Sequence, residues 1–331
     1  MKKSLQVILS LFFGGAILYW YLSGFTREEL YEIWENIKHV EIKWLVLSLI
    51  MGLLSHLIRA YRWNYLLQTL DYHPKKINLV LTVGISYLIN LVVPRAGEVA
   101  RAGSLAKYEK DISFDKAFGT IVAERIADMI FLLFFVVLAL IFQFDFIYKI
   151  LEPKLPHNYT LLALYIILIL VLTGVIYRFL KKSQHPLIKK IRQFFTGLIQ
   201  GMTSILHMPH KGRFLFLTAL IWALYLGMFW VVLPAFPETS HLGIEAVIVG
   251  FTAGSLAMVI SNGGFGVYPV FVAAALSLYG VSKSTGTAFG LLMWTAQTLL
   301  VILFGLICLI LLPIVNKKSG DEAGYKVSAG R

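Results

Sequence analysis

The chain has 331 residues, 58% hydrophobic and 15% charged, with a formal net charge of +12, and its apolar runs are too long for a soluble domain. Its one cysteine, Cys308, excludes intrachain disulfides and thiolate metal sites. The eight histidines show no HExxH spacing and no GxxxxGK[ST] appears, so neither a metal, a cofactor nor ATP is expected to drive any chemistry.

Lys2 and Lys3 precede the apolar run 4–23. The run is about 20 residues long and lacks an A-x-A-like cleavage site, so it reads as a retained first span and not a signal peptide. Thr26-Arg-Glu-Glu29 is a capping box, and Leu30, Ile33, Trp34 and Ile37 fall on one face of the helix it opens, which predicts an interfacial anchor. Residues 44–58 form the second span, which ends at Arg59 and Arg62 before Trp63. Two readings stand for these arginines: snorkelling anchors, or a clamp that meets phosphate oxygens bidentately.

The most informative stretch follows the run 77–93. Asn90-Leu-Val-Val-Pro94-Arg95-Ala-Gly97-Glu98-Val-Ala-Arg101 packs Asn, Pro, Gly, Glu and two Arg into 12 positions. Pro94 and Gly97 break the helix and free backbone groups for binding. Charges at this depth are costly unless they face protein, water or a polar ligand. Glu98 and Arg101 are three apart and read as a pair on one turn, either structural or substrate-binding. The next span, 117–142, carries Glu124, Arg125 and Asp128, about 10–17 Å from its start at 1.5 Å per residue. They read either as a buried triad locking two helices or as the lining of a cavity for a cationic or zwitterionic headgroup.

Residues 160–177 form a further span, and 186–206 an interfacial helix with Leu187, Ile191, Phe194, Leu198 and Met202 in one stripe. The span 214–233 is followed by two short runs, 244–260 and 268–281. Ser261-Asn262-Gly263-Gly264-Phe265-Gly266-Val267 joins them, and Tyr268-Pro269 opens the second. Its three glycines permit close approach of a ligand or a helix. The last span is 288–312, and residues 316–331 are read as a polar cytoplasmic tail behind a single membrane domain, 1–315.

With the N-terminus inside, alternation of the spans puts 23 of the 30 Lys and Arg on the cytoplasmic side, six outside and Arg125 within the membrane. That distribution argues against nucleic acid. It requires 77–107 to re-enter from the cytoplasmic side, and 244–281 to enter and leave on the outer side as a re-entrant hairpin or two short spans. The expected fold is thus all-α: a polytopic helical membrane protein of about six full spans plus two hairpins, about eight membrane segments, in the cytoplasmic (inner) membrane with both termini cytoplasmic. Lys43-Trp-Leu-Val-Leu-Ser48 resembles Arg213-Phe-Leu-Phe-Leu-Thr218 at an offset of 170, and Ala117-Phe-Gly119 recurs as Ala288-Phe-Gly290 at 171. This predicts an inverted repeat with halves 1–142 and 160–312.

Arg59-Ala-Tyr-Arg62-Trp63, the Asn90–Arg101 block, Glu124-Arg125-Ile-Ala-Asp128 and Gly-Gly-Phe-Gly-Val-Tyr-Pro resemble the lysylphosphatidylglycerol synthase transmembrane-region family, also called flippase-like domain proteins. The likeness covers roughly residues 5–312. In the bacterial multiple peptide resistance factors of that family, such a domain is linked to moving an aminoacylated phospholipid between leaflets, while a separate soluble C-terminal domain is the synthase. The resemblance therefore implies the translocase-like part without the synthase.

The expected function is a lipid translocator or lipid-headgroup-binding protein. Its substrates would be membrane lipids with a phosphate or cationic headgroup. The two broken elements are expected to share a mid-depth cavity lined by Asn90, Arg95, Glu98, Glu124 and Asn262. Arg95 and Arg101 would take the phosphate; Glu98, Glu124 and Asp128 would take a cationic group or protons. Two other readings stay open: an intramembrane lipid-modifying enzyme, and a structural partner of a separate lipid-synthesising enzyme.

Overall fold

The structure is a computed structural model. It describes residues 2–151 and 208–317, with side chains from Phe12 onward except those of residues 147, 149–151 and 262. The expectations for 160–177, 186–206 and the tail beyond Lys317 lie outside the described residues.

Helix follows helix, with no strand among the described residues: α1 Lys2–Ser23, α2 Arg27–Lys38, α3 Ile42–Gln68, α4 Lys76–Val92, α5 Ala96–Tyr108, α6 Phe114–Phe142 and α7 Phe144–Leu151, then α8 Lys211–Trp230, α9 Ile244–Ile260, α10 Tyr268–Ser277 and α11 Lys283–Asn316. Among the described residues four helices are long and apolar enough to cross a membrane: α3, α6, α8 with its extension to Ala235, and α11. The shorter apolar helices include α4, α9 and α10.

The order α3–α4–α5–α6 recurs as α8–α9–α10–α11. Ile42 and Lys211 open equivalent helices 169 positions apart, Lys76 and Ile244 168, Ala96 and Tyr268 172, Phe114 and Lys283 169. Equivalent helices run in opposite directions. Ser48 Oγ on α3 donates to the Met228 carbonyl, whereas Arg62, further along α3, reaches back to Thr218 on α8. This antiparallel relation of equivalent helices is that of an inverted repeat.

Small residues set the spacing. A Cβ on Gly84 of α4 would collide with Cys308 on α11, and one on Gly305 would come within 2.5 Å of Leu88. Asn78 and Asn316 close the end of that seam through paired amide hydrogen bonds of 3.1 and 2.8 Å. Asn316, expected to begin the tail, is therefore a buried residue that ends α11. Its amide is satisfied inside the bundle, which fixes the last turn of the helix.

At the opposite end, α2 forms as the capping box predicts: Thr26 Oγ1 accepts from Glu29 N–H at 3.2 Å, and Glu29 returns the bond at 2.7 Å. Ile33 is buried, while Trp34 and Tyr31 stay exposed in the manner of interfacial aromatics. Glu32 accepts from Ser284 and ties α2 to the start of α11. Glu238 caps that same start, accepting from Ser282 N–H at 2.7 Å and from the Ser282 and Thr285 hydroxyls. Burial alone would raise the Glu238 pKa, but these hydrogen bonds outweigh it and hold the carboxyl below its ordinary value. A depressed carboxyl stabilises the fold above its unfolded pKa, and that contribution is lost as pH falls. The Glu238→Gln variant should therefore melt below the parent at pH 7, and the gap should close from roughly pH 5 downward. Thermal melts at pH 7 and pH 3 check this; a gap of equal size at both would refute it.

Candidate functional site

Both helical breaks form, and both lie within the bundle, away from the ends of α11. Val93 leaves α4 extended, Arg95 takes a left-handed backbone with φ 62°, and α5 turns back. Asn90 Oδ1 accepts from Gly97 N–H at 2.8 Å and pins this elbow. Gly97 is buried against α4, where a Cβ would overlap the Ser86 carbonyl oxygen. Asn90 and Gly97 thus hold the backbone of the elbow, while Pro94 and Arg95 are exposed at its tip.

The second break turns on Gly263, Gly264 and Gly266, all with positive φ. Trp294 Nε1 donates to the Gly263 carbonyl at 2.8 Å. Trp294 lies eleven residues into α11, so the break sits about 17 Å from that end of the bundle. The glycines admit neighbouring protein: Gly266 abuts the Gly14 backbone of α1, and Gly264 packs beneath Trp294, Met258 and Tyr268. The Tyr268 ring covers Gly254, and Pro269 packs backbone to backbone on Gly290. Asn262 lies in the turn itself. The two tips meet, since Leu91 of α4 is the neighbour a Cβ on Gly263 would touch, at 3.7 Å.

Beside the first elbow lies the charge cluster. The span expected to end at Arg59 continues to Gln68, so Arg59 and Arg62 are buried and do not snorkel. Arg59 Nη1 donates to Glu124 Oε1 at 2.8 Å and to Asp128 Oδ2 at 2.6 Å, and its Nη2 to Tyr225 at 3.1 Å. Arg62 Nη1 donates to Asp128 Oδ1 at 2.8 Å and to Thr218 at 2.9 Å. Arg101 forks onto Glu124 with bonds of 3.2 and 3.1 Å, and its guanidinium lies 3.9 Å from the centre of the Trp63 ring. Trp63 is oriented by a 2.8 Å bond to Thr120. Bidentate, charge-assisted bonds of this kind are how Arg is accommodated in low dielectric.

The expected Glu98–Arg101 pair does not form. Both side chains reach across to α6 instead, Arg101 to Glu124 and Glu98 to Arg125, with Arg125 Nη2 2.7 Å from Glu98 Oε1. Arg101 takes both oxygens of Glu124, and Glu98 takes Arg125, which a pair on one turn of α5 would have left without that carboxylate. Nor does Glu124 line an open cavity: its side chain is 0% exposed, packed among three guanidinium groups. Of the expected site residues, Arg59, Arg62, Arg101, Glu124 and Asp128 form one packed network. Glu98 and Arg125 form a second pair nearer the surface, with side chains 16% and 41% exposed. Because that pair is partly exposed, Glu98→Gln should cost only about 1 kcal/mol. The swapped double variant Glu98→Arg with Arg125→Glu should recover the melting temperature; a double variant less stable than both single ones would contradict a simple pair.

The sequence reading missed Thr218 and Tyr225, which hold Arg62 and Arg59 from α8. Their spacing of seven places them on one face of an apolar helix, and that was the available signal. It also missed His56, buried with its ring 4.4 Å from that of Tyr87.

The comparisons accord with this architecture. The family model described as "Lysylphosphatidylglycerol synthase TM region" matches residues 7–305. The chain belongs to this family. A UPF0104 membrane protein of Methanocaldococcus jannaschii is 24% identical over 304 residues, covering 84% of this chain and 88% of the relative. A UPF0104 membrane protein of Pyrococcus horikoshii is 26% identical over 178 residues, covering 53% of this chain and 50% of the relative, so the match spans half of that protein's length. No solved structure matches the chain. A multi-pass membrane protein of a lipid-related family is what these findings and the apolar helices establish.

Proposed function

We propose that the chain moves a polar or charged lipid between the two leaflets. The supporting observation is the pair of helical breaks that touch within the bundle, one of them bearing an exposed arginine, Arg95. Interrupted helices at the interface of inverted repeats are the usual construction of an alternating-access site. An exposed guanidinium at this depth is costly against hydrocarbon and favourable against water or a headgroup. In this reading the packed Arg–carboxylate network is the rigid wall, and the elbow is the surface a headgroup passes. Among the described residues no group of three or more His, Cys, Asp and Glu side chains is placed to hold a metal ion. No observation favours the enzyme reading over transport.

The test is reconstitution of the full chain into liposomes with fluorescent lipids quenched from outside. Movement of inner-leaflet probe above that in empty liposomes supports the proposal; a rate equal to the empty control refutes it. The same reading places the protein in the cytoplasmic membrane with both termini inside and α2 outside, and lets it work beside the enzyme that makes its lipid. In a Cys308→Ala background, Glu28→Cys should react with an impermeant thiol reagent in intact cells and Lys211→Cys should not. Labelling of Lys211→Cys would invert the orientation.

A further inference from the structure

The two elbows are equivalent in the repeat but not in cover. Val92, Pro94 and Arg95 of the first are exposed, whereas Gly264, Gly266 and Val267 of the second are buried. Part of that cover comes from the second half itself, with Met258, Tyr268 and Trp294 over Gly264. The rest is α1. A Cβ on Gly266 would overlap the Gly14 carbonyl oxygen, and Gly14 and Gly15 lie against the Phe265 ring. Phe265 is thus held between α1 and Trp294, whose ring centre is 5.5 Å from its own.

α1 is seated unevenly. The end next to α2 is pinned. Phe25 is buried there, and the Tyr21 hydroxyl is 3.0 Å from Thr287 Oγ1. The Lys283 ammonium lies 4.0 and 4.9 Å from the centres of the Phe25 and Tyr21 rings. Further along, α1 rests on the elbow through Gly14, backbone on backbone, while Phe12, Phe13, Tyr19 and Trp20 are exposed. Glycine on glycine brings two backbones close but offers no interdigitated side chain that must be withdrawn before they part.

Alternating access moves one repeat against the other, so an elbow covered in one state is uncovered in the opposite one. Uncovering the second elbow requires Gly14 to leave Gly266. Resting on the translocator reading, we infer that α1 is a gate that pivots about Tyr21 and Phe25 and lifts from the turn 263–266 in each transport cycle. The structure shows this gate shut.

The experiment uses the full chain in a Cys308→Ala background, with Gly15→Cys on α1 and Phe265→Cys on the elbow. Outside α1, only the Phe265 ring lies within 4 Å of a Cβ at Gly15, so the two cysteines fit and face each other. A short bifunctional methanethiosulfonate should join them. The assay lipid is fluorescent phosphatidylglycerol or lysylphosphatidylglycerol, whichever the parent moves faster. The joined protein should fall to the rate of empty liposomes, and reduction of the link should restore movement. Joining Glu32→Cys to Ser284→Cys ties α2 to α11 where those side chains already bond, and should leave the rate unchanged. A second measurement needs no transport. Spin labels at Phe12→Cys and Leu303→Cys, both exposed, should give two distances, one for each position of α1. If the joined protein moves lipid at the unlinked rate, or if the labels give a single distance, the gate is overturned while translocation stands. If the unlinked double variant is inactive while the parent moves lipid, the distances decide. If the parent itself moves neither lipid faster than empty liposomes, the translocator reading falls, and this inference with it.

Discussion

Glu124→Gln should leave little folded protein. Glu124 is wholly buried and accepts from Arg59 and Arg101, with Arg62 Nη2 3.2 Å away. Removing its charge leaves three buried guanidinium groups against Asp128 alone. Deleting one member of a buried ion pair costs about 3–5 kcal/mol, because the partner's charge stays buried. Here several partners lose at once, so the upper end applies. The companion variant Arg62→Met returns the network to the parent's net charge, two guanidinium groups against one carboxylate in place of three against two, and fills similar volume. The double variant should therefore recover part of the lost stability. Fluorescence-detected size exclusion after a temperature ramp measures both. A Glu124→Gln protein that melts with the parent would show the network is not built as described.

Gly97→Ala should be nearly as damaging, although it adds one methyl group. The new Cβ would overlap the Ser86 carbonyl oxygen and crowd the Asn90 amide that pins the elbow. Overpacking costs about 1–3 kcal/mol, and a backbone obstacle leaves little room to relax. Gly103 in the same helix is the control. Nothing lies within 4 Å of a Cβ there, so Gly103→Ala should be neutral or stabilising by about 0.5–1 kcal/mol. Equal melting shifts for the two variants would remove the case for a close α4–α5 contact.

Much of this architecture was legible in the chain because local chemistry wrote it. Pro94 and Gly97 inside an apolar run break a helix whatever surrounds them. Thr26 and Glu29 cap α2 through bonds that depend only on their spacing. The repeat showed as an offset near 170 because both halves need small and apolar residues at the same points. What could not be read is what depends on helices meeting. Arg59 looked like the end of a span because hydropathy falls there. The helix goes on because Glu124 and Asp128, 65 and 69 positions away, neutralise it. Glu98 and Arg101 looked like partners because spacing allows it, yet α6 offers each a better one. The glycines after Ser261 read as room for a ligand or a helix, and only tertiary structure shows Gly14 and Trp294 occupying much of that room.

The central claim is that the first elbow brings Arg95 to a hydrated path within the bundle. The most direct measurement is the reactivity of Arg95→Cys, in a Cys308→Ala background, toward a small charged thiol reagent. In reconstituted protein the account predicts modification from the aqueous phase, slowed when phosphatidylglycerol is added to the membrane. Modification only by a membrane-permeant apolar reagent, indifferent to lipid headgroup, would place Arg95 against hydrocarbon or sealed protein and contradict the account.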